Sequence, residues 1–551
     1  MTIRLYATTA ALLAVGGLAL PAARAEIKLP PIYGDHMVLQ QGKELRIAGT
    51  ATPGEAVTVS IAGRQASGKA GERGEWTVAL SALPVGVQPT ELSVAGDGHS
   101  FTFKDVLVGD VWVCSGQSNM EFPAYRASTA AAALASADLP LVRFFVVPHR
   151  IAFQPVDDAP GRWIVCTPEN LRRSNFSAVG YFFGKEISDA RKLPVGLIGT
   201  YWGGTPAQAW TSVEALRAHP ALVRYADKVT QTGGSLEELK TRYEREILPA
   251  WQQEHNAWQA EFGQDYSLLV NQWRQDSAKA TAAGQPPPPL PKPPKPEPIK
   301  PVFVGQNPLT PSVLYNGMIA PLTGYAIKGA VWYQGEANAG AAEEYAELFK
   351  TMITDWRQRW HVGDFPFLFV QLAGYGNGGT WPVLRESQRQ ALSLPGTGMA
   401  VALDVGEEKD IHPRNKEAVG HRLAVAARHV AYGEDVVCSG PTFERTESKG
   451  DKLEVRFGSV GGGLTTGTFP ATGAGALPTP AATGGVEGFE VAGADGKFVP
   501  ARAEISGEAT VVVSAEGVAS PGAVRYGWAA CPGVNLYNKE GLPAVPFSSA
   551  R

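Results

Sequence analysis

The feature that most constrains this chain is an apolar run, Val111-Trp112-Val113-Cys114. It stops abruptly at Gly116 and gives way to Gln117-Ser118-Asn119-Met120-Glu121. β-Branched and aromatic residues in so short a run predict a buried strand. Its last side chains then stand at the carboxyl edge of a sheet, where open α/β folds bind ligands. Ser118 is placed there as a candidate nucleophile, with its own backbone N–H available to an oxyanion. An ordinary turn after a core strand is the competing reading, and Ser115 is the next serine to consider.

The rest of the chain supplies the context. From near Val106, apolar runs alternate with helical stretches, the signature of a parallel sheet flanked by helices. Predicted strands over Leu193–Gly199, Gly329–Tyr333, Phe365–Gln371 and Met399–Leu403 join the first one. A helix is expected where Tyr345, Leu348, Phe349, Met352, Ile353, Trp356 and Trp360 form one apolar face. Another is expected through Val419, Leu423, Ala427 and Val430, with Pro413 placed to open it.

Two β-rich regions flank this part. Residues 26–105 carry short strand-like runs (Leu45–Ala48, Ala56–Ile61, Trp76–Leu80, Glu91–Val94) between Gly/Pro turns, which suggests a small sandwich. Residues 436–551 repeat the pattern, with runs such as Lys452–Phe457 and Ala509–Ser514. The α/β region itself divides into 106–215 and 301–435. Between them, residues 216–300 read as an inserted helical hairpin. Ser235 and Glu238 form a capping box, and Leu236, Leu239, Tyr243, Ile247, Trp251, Trp258 and Phe262 make an apolar stripe, with Pro249 as a kink. A stiff proline-rich tether, residues 285–296, follows.

Residues 1–25 read as an export signal. Arg4 is followed by an apolar stretch too short to span a bilayer and by the small-x-small site Ala23-Arg24-Ala25, so a periplasmic or secreted protein without membrane insertion is expected. In that compartment disulfides are allowed, and Cys438 with Cys531 is the favoured pair. A formal net charge of −4 argues against a nucleic-acid partner. The nine histidines show no zinc-ligand spacing.

Acyl transfer needs a nucleophile, a base, an orienting group and donors for a tetrahedral oxyanion. The strand ends offer Ser118, Gly203-Gly204, Gln334 and His412 in that order. His412 is the expected base. Ser118 N–H, a Gly203 or Gly204 N–H and the Gln334 amide are the expected oxyanion donors. Trp202, Trp210, Trp332 and Tyr201 can stack on a sugar ring or belong to the core. Gln117, Asn119, Glu121, Thr205 and Asn338 suit a polar alcohol and a small acyl group better than a lipid chain.

The blocks Gly116–Met120, Gly199–Trp210, Trp332–Glu336 and Asp410–Pro413 resemble the sialate O-acetylesterase family of SGNH/GDSL hydrolases. That resemblance implies a flavodoxin-like three-layer α/β hydrolase domain, no metal or other cofactor, and removal of O-acetyl groups from sugars. It implies Ser118 as nucleophile, His412 as base and the same oxyanion residues; Asn119, Glu121, Trp202 and Glu336 are the candidate substrate contacts. The implied substrate is an acetylated oligosaccharide or polysaccharide, on sialic acids or plant cell-wall polymers such as xylan or xyloglucan. One departure stands out. The superfamily places its acid three residues before the histidine, and Lys409 occupies that position here. Asp410 is the preferred orienter, with Asp404, Glu407, Glu408, Glu336 or a backbone carbonyl as alternatives. A carbohydrate-binding protein with an inactive hydrolase domain is the competing function.

Overall fold

The computed structural model describes residues 26–97, 99–231, 236–468, 478–481 and 485–550. The export signal and the Ser235 cap therefore lie outside the described residues.

At the centre is a sheet of seven strands: β1 (His99–Gly116), β2 (Leu139–Val146), β3 (Trp163–Cys166), β4 (Val195–Tyr201), β5 (Gly329–Tyr333), β6 (Phe367–Gln371) and β7 (Thr397–Val401). They lie in the order β7-β6-β5-β1-β4-β2-β3. All neighbours are parallel except β3, which runs antiparallel to β2. Strands β4, β5 and β6 are buried at every residue, as both-face coverage demands.

Helices cover both faces. On one, α2 (Ala178–Arg191) and α4 (Lys416–Val430) meet so closely that a methyl on Gly420 would lie 2.5 Å from Phe182 Cβ. On the other, α3 (Tyr345–Trp360) stacks Phe349 on Trp332 of β5 and sets Trp356 edge-on to the same ring. Alternation along β5 follows, with Trp332 facing α3 and Tyr333 facing α4. Helix α4 begins at Lys416 under an Asn415 cap, so Pro413 stands in the loop before the helix and does not open it.

The composition change near Val106 falls inside one unbroken strand. The first half of β1 pairs antiparallel with Gly86–Gly96, and the second half enters the central sheet. The N-terminal β region shares the central core, tied by Trp163 Nε1 donating to Ile32 O (2.7 Å) and Tyr325 OH to Val38 O (2.7 Å). The C-terminal β region has a second core around Val455, Phe489, Val511 and Tyr526.

The insertion departs from expectation. A helical run from Leu236 to Ala282, about 70 Å at 1.5 Å per residue, continues through Pro249. A wide π turn over Tyr243–Ile247 precedes the proline, the device by which helices absorb such a residue without ending. The returning limb is not a second helix. It is the extended proline-rich chain, laid along the first. Trp273, Tyr266, Trp258, Trp251 and Tyr243 donate from their ring N–H or O–H to the carbonyls of Pro288, Pro291, Lys295, Pro298 and Pro301. The contacts span Tyr243 to Trp273 on the helix, about 45 Å at 1.5 Å per residue, and Pro288 to Pro301 on the extended limb, about 40 Å at 3.1 Å per residue, so the two limbs run nearly in step. Polyproline carbonyls have no internal donors, and the aromatic stripe supplies them.

All four cysteines are free. The expected Cys438–Cys531 pair is not formed, because each thiol is placed in its own packing environment: Cys531 lies against Gly374, and Cys438 lines a separate cavity of about 650 Å³. Among the described residues no helix is long and apolar enough to cross a membrane.

Candidate active site

Parallel strands bring β1, β4, β5 and β7 to a common carboxyl edge. At Gly116 (φ +139°) the chain turns out of β1 where a Cβ would lie 2.1 Å from Tyr333 O, so only glycine fits. Ser118 then opens the short helix α1 (Ser118–Glu121), half-buried, with Gln117 as its N-cap. Across from it, β4 ends at Tyr201, and a methyl on Gly203 would lie 3.2 Å from Ser118 Cβ. Glycine at 203 therefore leaves open the space in front of the serine.

His412 arrives from the loop after β7. Asn119, next to Ser118, donates from Nδ2 to Ile411 O (2.9 Å), next to His412, and to Glu336 Oε1 (2.5 Å). One amide thus ties the serine turn, the histidine loop and the segment after β5. No hydrogen bond joins Ser118 Oγ to His412 among the described residues. Such bonds are commonly loose without substrate and tighten on binding. The His412 imidazole is held below its ordinary pKa by burial and by the Lys416 and Arg126 charges, against an opposing pull from Asp410. Each of these depressing effects favours the neutral ring.

Three expectations need correction. Asp410 does not hydrogen-bond the imidazole. Its Oδ1 lies 3.8 Å from Nδ1 and accepts the His412 backbone N–H at 2.8 Å. The two-residue spacing is the reason, since an aspartate readily caps the N–H two positions on in an Asx turn. Asp404 is no substitute. Its two oxygens each take a 2.7 Å bond from Arg422, and Tyr537 OH adds a third at 2.8 Å. Glu407 accepts the Arg414 N–H, and Glu336 is bound to Asn119. Asp410→Asn keeps the turn and removes only the charge, so turnover is expected to fall about tenfold. An acid that fixes the tautomer costs roughly 10⁴. Steady-state kinetics of the purified variant checks this.

Gln334 is fully buried and already committed. Its Nε2 donates to Thr205 O (3.1 Å) and Asn338 Oδ1 (2.8 Å), while Oε1 accepts from Tyr345 OH (2.9 Å). Both amide hydrogens are used, leaving none for an oxyanion. In this arrangement the side chain braces the loop after β4. Gln334→Ala leaves Thr205 O without its donor, while Asn338 Oδ1 keeps the Ala207 N–H and Tyr345 OH keeps the residue-334 carbonyl, and it is expected to cost roughly 1–3 kcal/mol in denaturant unfolding. An unchanged midpoint with a 10²–10³-fold loss of turnover would return it to the oxyanion role.

Gly203 N–H is also occupied, donating to Glu121 Oε2 at 2.7 Å. Gly204 (φ +73°) is exposed, and its N–H is uncommitted among the described residues. Trp210 and Trp332 are wholly buried and Tyr201 nearly so, which leaves Trp202 as the half-exposed ring of that set. Ser115 is fully buried and is no alternative nucleophile.

Two neighbours went unread in the sequence. His149 stacks on Trp202 (centroids 4.1 Å, 5°), and its Nε2 lies 3.1 Å from Tyr201 O and 3.2 Å from Glu121 Oε1. Lys416, at the start of α4, is buried under the site. Nothing in the local pattern separates either from a surface side chain. Among the described residues no group of three or more His, Cys, Asp or Glu is arranged to hold a metal.

Comparison with known proteins gives the family. The rat sialate O-acetylesterase (Rattus norvegicus) is 31% identical over 454 residues, 75% of either chain. The chain belongs to the sialate O-acetylesterase family. The human sialate O-acetylesterase (Homo sapiens) is 30% identical over 457 residues, 76% of this chain and 73% of that one. The family model described as a carbohydrate esterase, sialic acid-specific acetylesterase, matches residues 307–429 of this family member. The crystal structure of a carbohydrate acetylesterase from Xanthomonas citri superposes with a TM-score of 0.74 at 35% identity, covering 95% of this chain and 99% of that one.

Proposed function

We propose that this member of the family is an exported serine esterase that removes O-acetyl groups from carbohydrates, with Ser118 as nucleophile and His412 as base. Membership makes it a carbohydrate O-acetylesterase. The observation that carries the residue assignment is the Asn119 to Ile411 O hydrogen bond, which brackets Ser118 and His412 from their adjacent positions. The strand order and the helices on both faces support a flavodoxin-like SGNH hydrolase domain.

In this reading His412 takes the proton from Ser118 Oγ as the oxygen attacks the acetyl carbonyl. The resulting oxyanion meets the Ser118 and Gly204 N–H groups. His412 then gives the proton to the departing sugar oxygen, and the acetyl group stays on the serine. Water, deprotonated by His412, attacks the acetyl-enzyme; the acyl–Oγ bond breaks, acetate leaves, and His412 returns the proton to Ser118 Oγ. Asp410 steadies the imidazolium through space and holds the His412 backbone. Trp202, backed by His149, presents a flat face to a sugar ring, and Glu121 rims it.

Acetate release from acetylated sialosides, xylan, xyloglucan and pectin tests the reading and ranks the substrates. Release from none of them, with the protein folded, would sink it. We further propose that residues 1–25 direct export. An exported protein whose first residue is Glu26 on N-terminal sequencing supports this, and a retained leader removes it.

A further inference from the structure

Lys416 has no exposed surface, yet its side chain ends at the heart of the site. Its ammonium donates to Asn119 Oδ1 and stands 5.0 Å from the Phe122 ring and 5.2 Å from the Tyr333 ring, with the Glu336 carboxylate as its opposite charge. Lysine is almost never fully buried unless paired. Here its hydrogen-bond partner, Asn119, is itself wired into the catalytic loops.

Asn119 spends its whole amide. Oδ1 faces Lys416, and Nδ2 donates to Glu336 Oε1 and Ile411 O. An ammonium has three donors and no acceptor, so it tolerates only the oxygen end of an amide. Were the amide turned over, its NH₂ would face the ammonium and its oxygen would face Glu336 and Ile411 O. The lysine therefore dictates which way Asn119 points.

We propose that Lys416 is a positioning residue of the esterase: by fixing the Asn119 amide it holds the Ile411 carbonyl, and through it His412, beside Ser118. The inference rests on the assignment of Ser118 and His412 given above. The charge of Lys416 acts in the same direction as its geometry. The groups that face His412 are Asp410 from its own loop, Lys416 from α4 and Arg126 from the turn after α1. The two cations disfavour the imidazolium and leave the ring free to accept a proton. Burial pushes the Lys416 amine itself down to about 7, opposed by Glu336, Asp410 and Glu407. In the acid range where His412 titrates, the lysine keeps its proton and its charge is felt.

Lys416→Met and Lys416→Gln in the full chain test this with an acetyl-ester substrate. Lys416→Met is expected to lower kcat by about tenfold or more, with KM changed less than about twofold. The acid limb of kcat/KM should move up by roughly half a pH unit or more, because a cation facing His412 is gone. Lys416→Gln can still donate to Asn119 Oδ1, so it should recover part of kcat while sharing the acid-limb shift. A lower melting temperature with kcat and acid limb unchanged would mark a structural role alone and overturn the proposal. If Lys416→Met does not fold, Lys416→Gln carries the same test through its acid limb. Inactive Ser118→Ala beside normal Lys416 variants would refute only the lysine. Active Ser118→Ala would refute the site.

Discussion

Ser118→Ala is expected to lose turnover by about 10⁴-fold or more while unfolding at the same denaturant midpoint. The serine is half-buried at the start of α1, and its hydroxyl has no described hydrogen-bond partner whose loss would cost stability. The methyl of alanine fits where the serine Cβ already is, so Gly203 and Glu121 need not move. In the proposed mechanism, what disappears is the atom that receives the acetyl group. Near-normal acetate release from the folded variant would remove Ser118 from the mechanism, and the buried Ser115 could not replace it.

His412→Ala is expected to cost turnover by a similar factor, and the double variant should be hardly worse than either single one, because nucleophile and base act as a unit. Additive losses would mean that the two side chains work independently. The wild-type pH profile offers a second check. The base must be neutral, so activity is present above the His412 pKa and lost as pH falls through it. Burial, Lys416 and Arg126 depress that pKa below the ordinary 6.5, so the acid limb should lie below this value. A limb clearly above it would mean that Asp410 outweighs those three effects.

Much of the fold was legible because periodicity reports burial. The expected strand over Gly329–Tyr333 matches residue for residue, and the aromatic face of α3 meets the sheet as its spacing demands. Met399–Leu403 is displaced from the observed Thr397–Val401, since an apolar run does not mark where ladder hydrogen bonds begin. At the site, the residue types at the strand ends were legible, but their hydrogen-bond partners were not. Gln334 has the right chemistry for an oxyanion donor, and only the three-dimensional neighbours Thr205, Asn338 and Tyr345 show that its amide is spent. Asp410 likewise has the right charge, and its two-residue spacing sends the carboxylate to a backbone N–H. The proline-rich stretch was read as a tether because nothing local says that its carbonyls meet rings some 15 to 58 residues earlier in the chain.

That stretch has a consequence of its own. An aromatic-lined surface that accepts a polyproline chain is a recognition device, and elsewhere it serves ligands on other molecules. Here receptor and ligand are consecutive in one polypeptide, joined by the few residues around Gly284. Their encounter is unimolecular, with an effective concentration that no diffusing proline-rich peptide readily matches. The surface is thus occupied at any dilution of the protein. Its five anchoring rings turn what would be a promiscuous peptide-binding stripe into a closed, self-liganded strut.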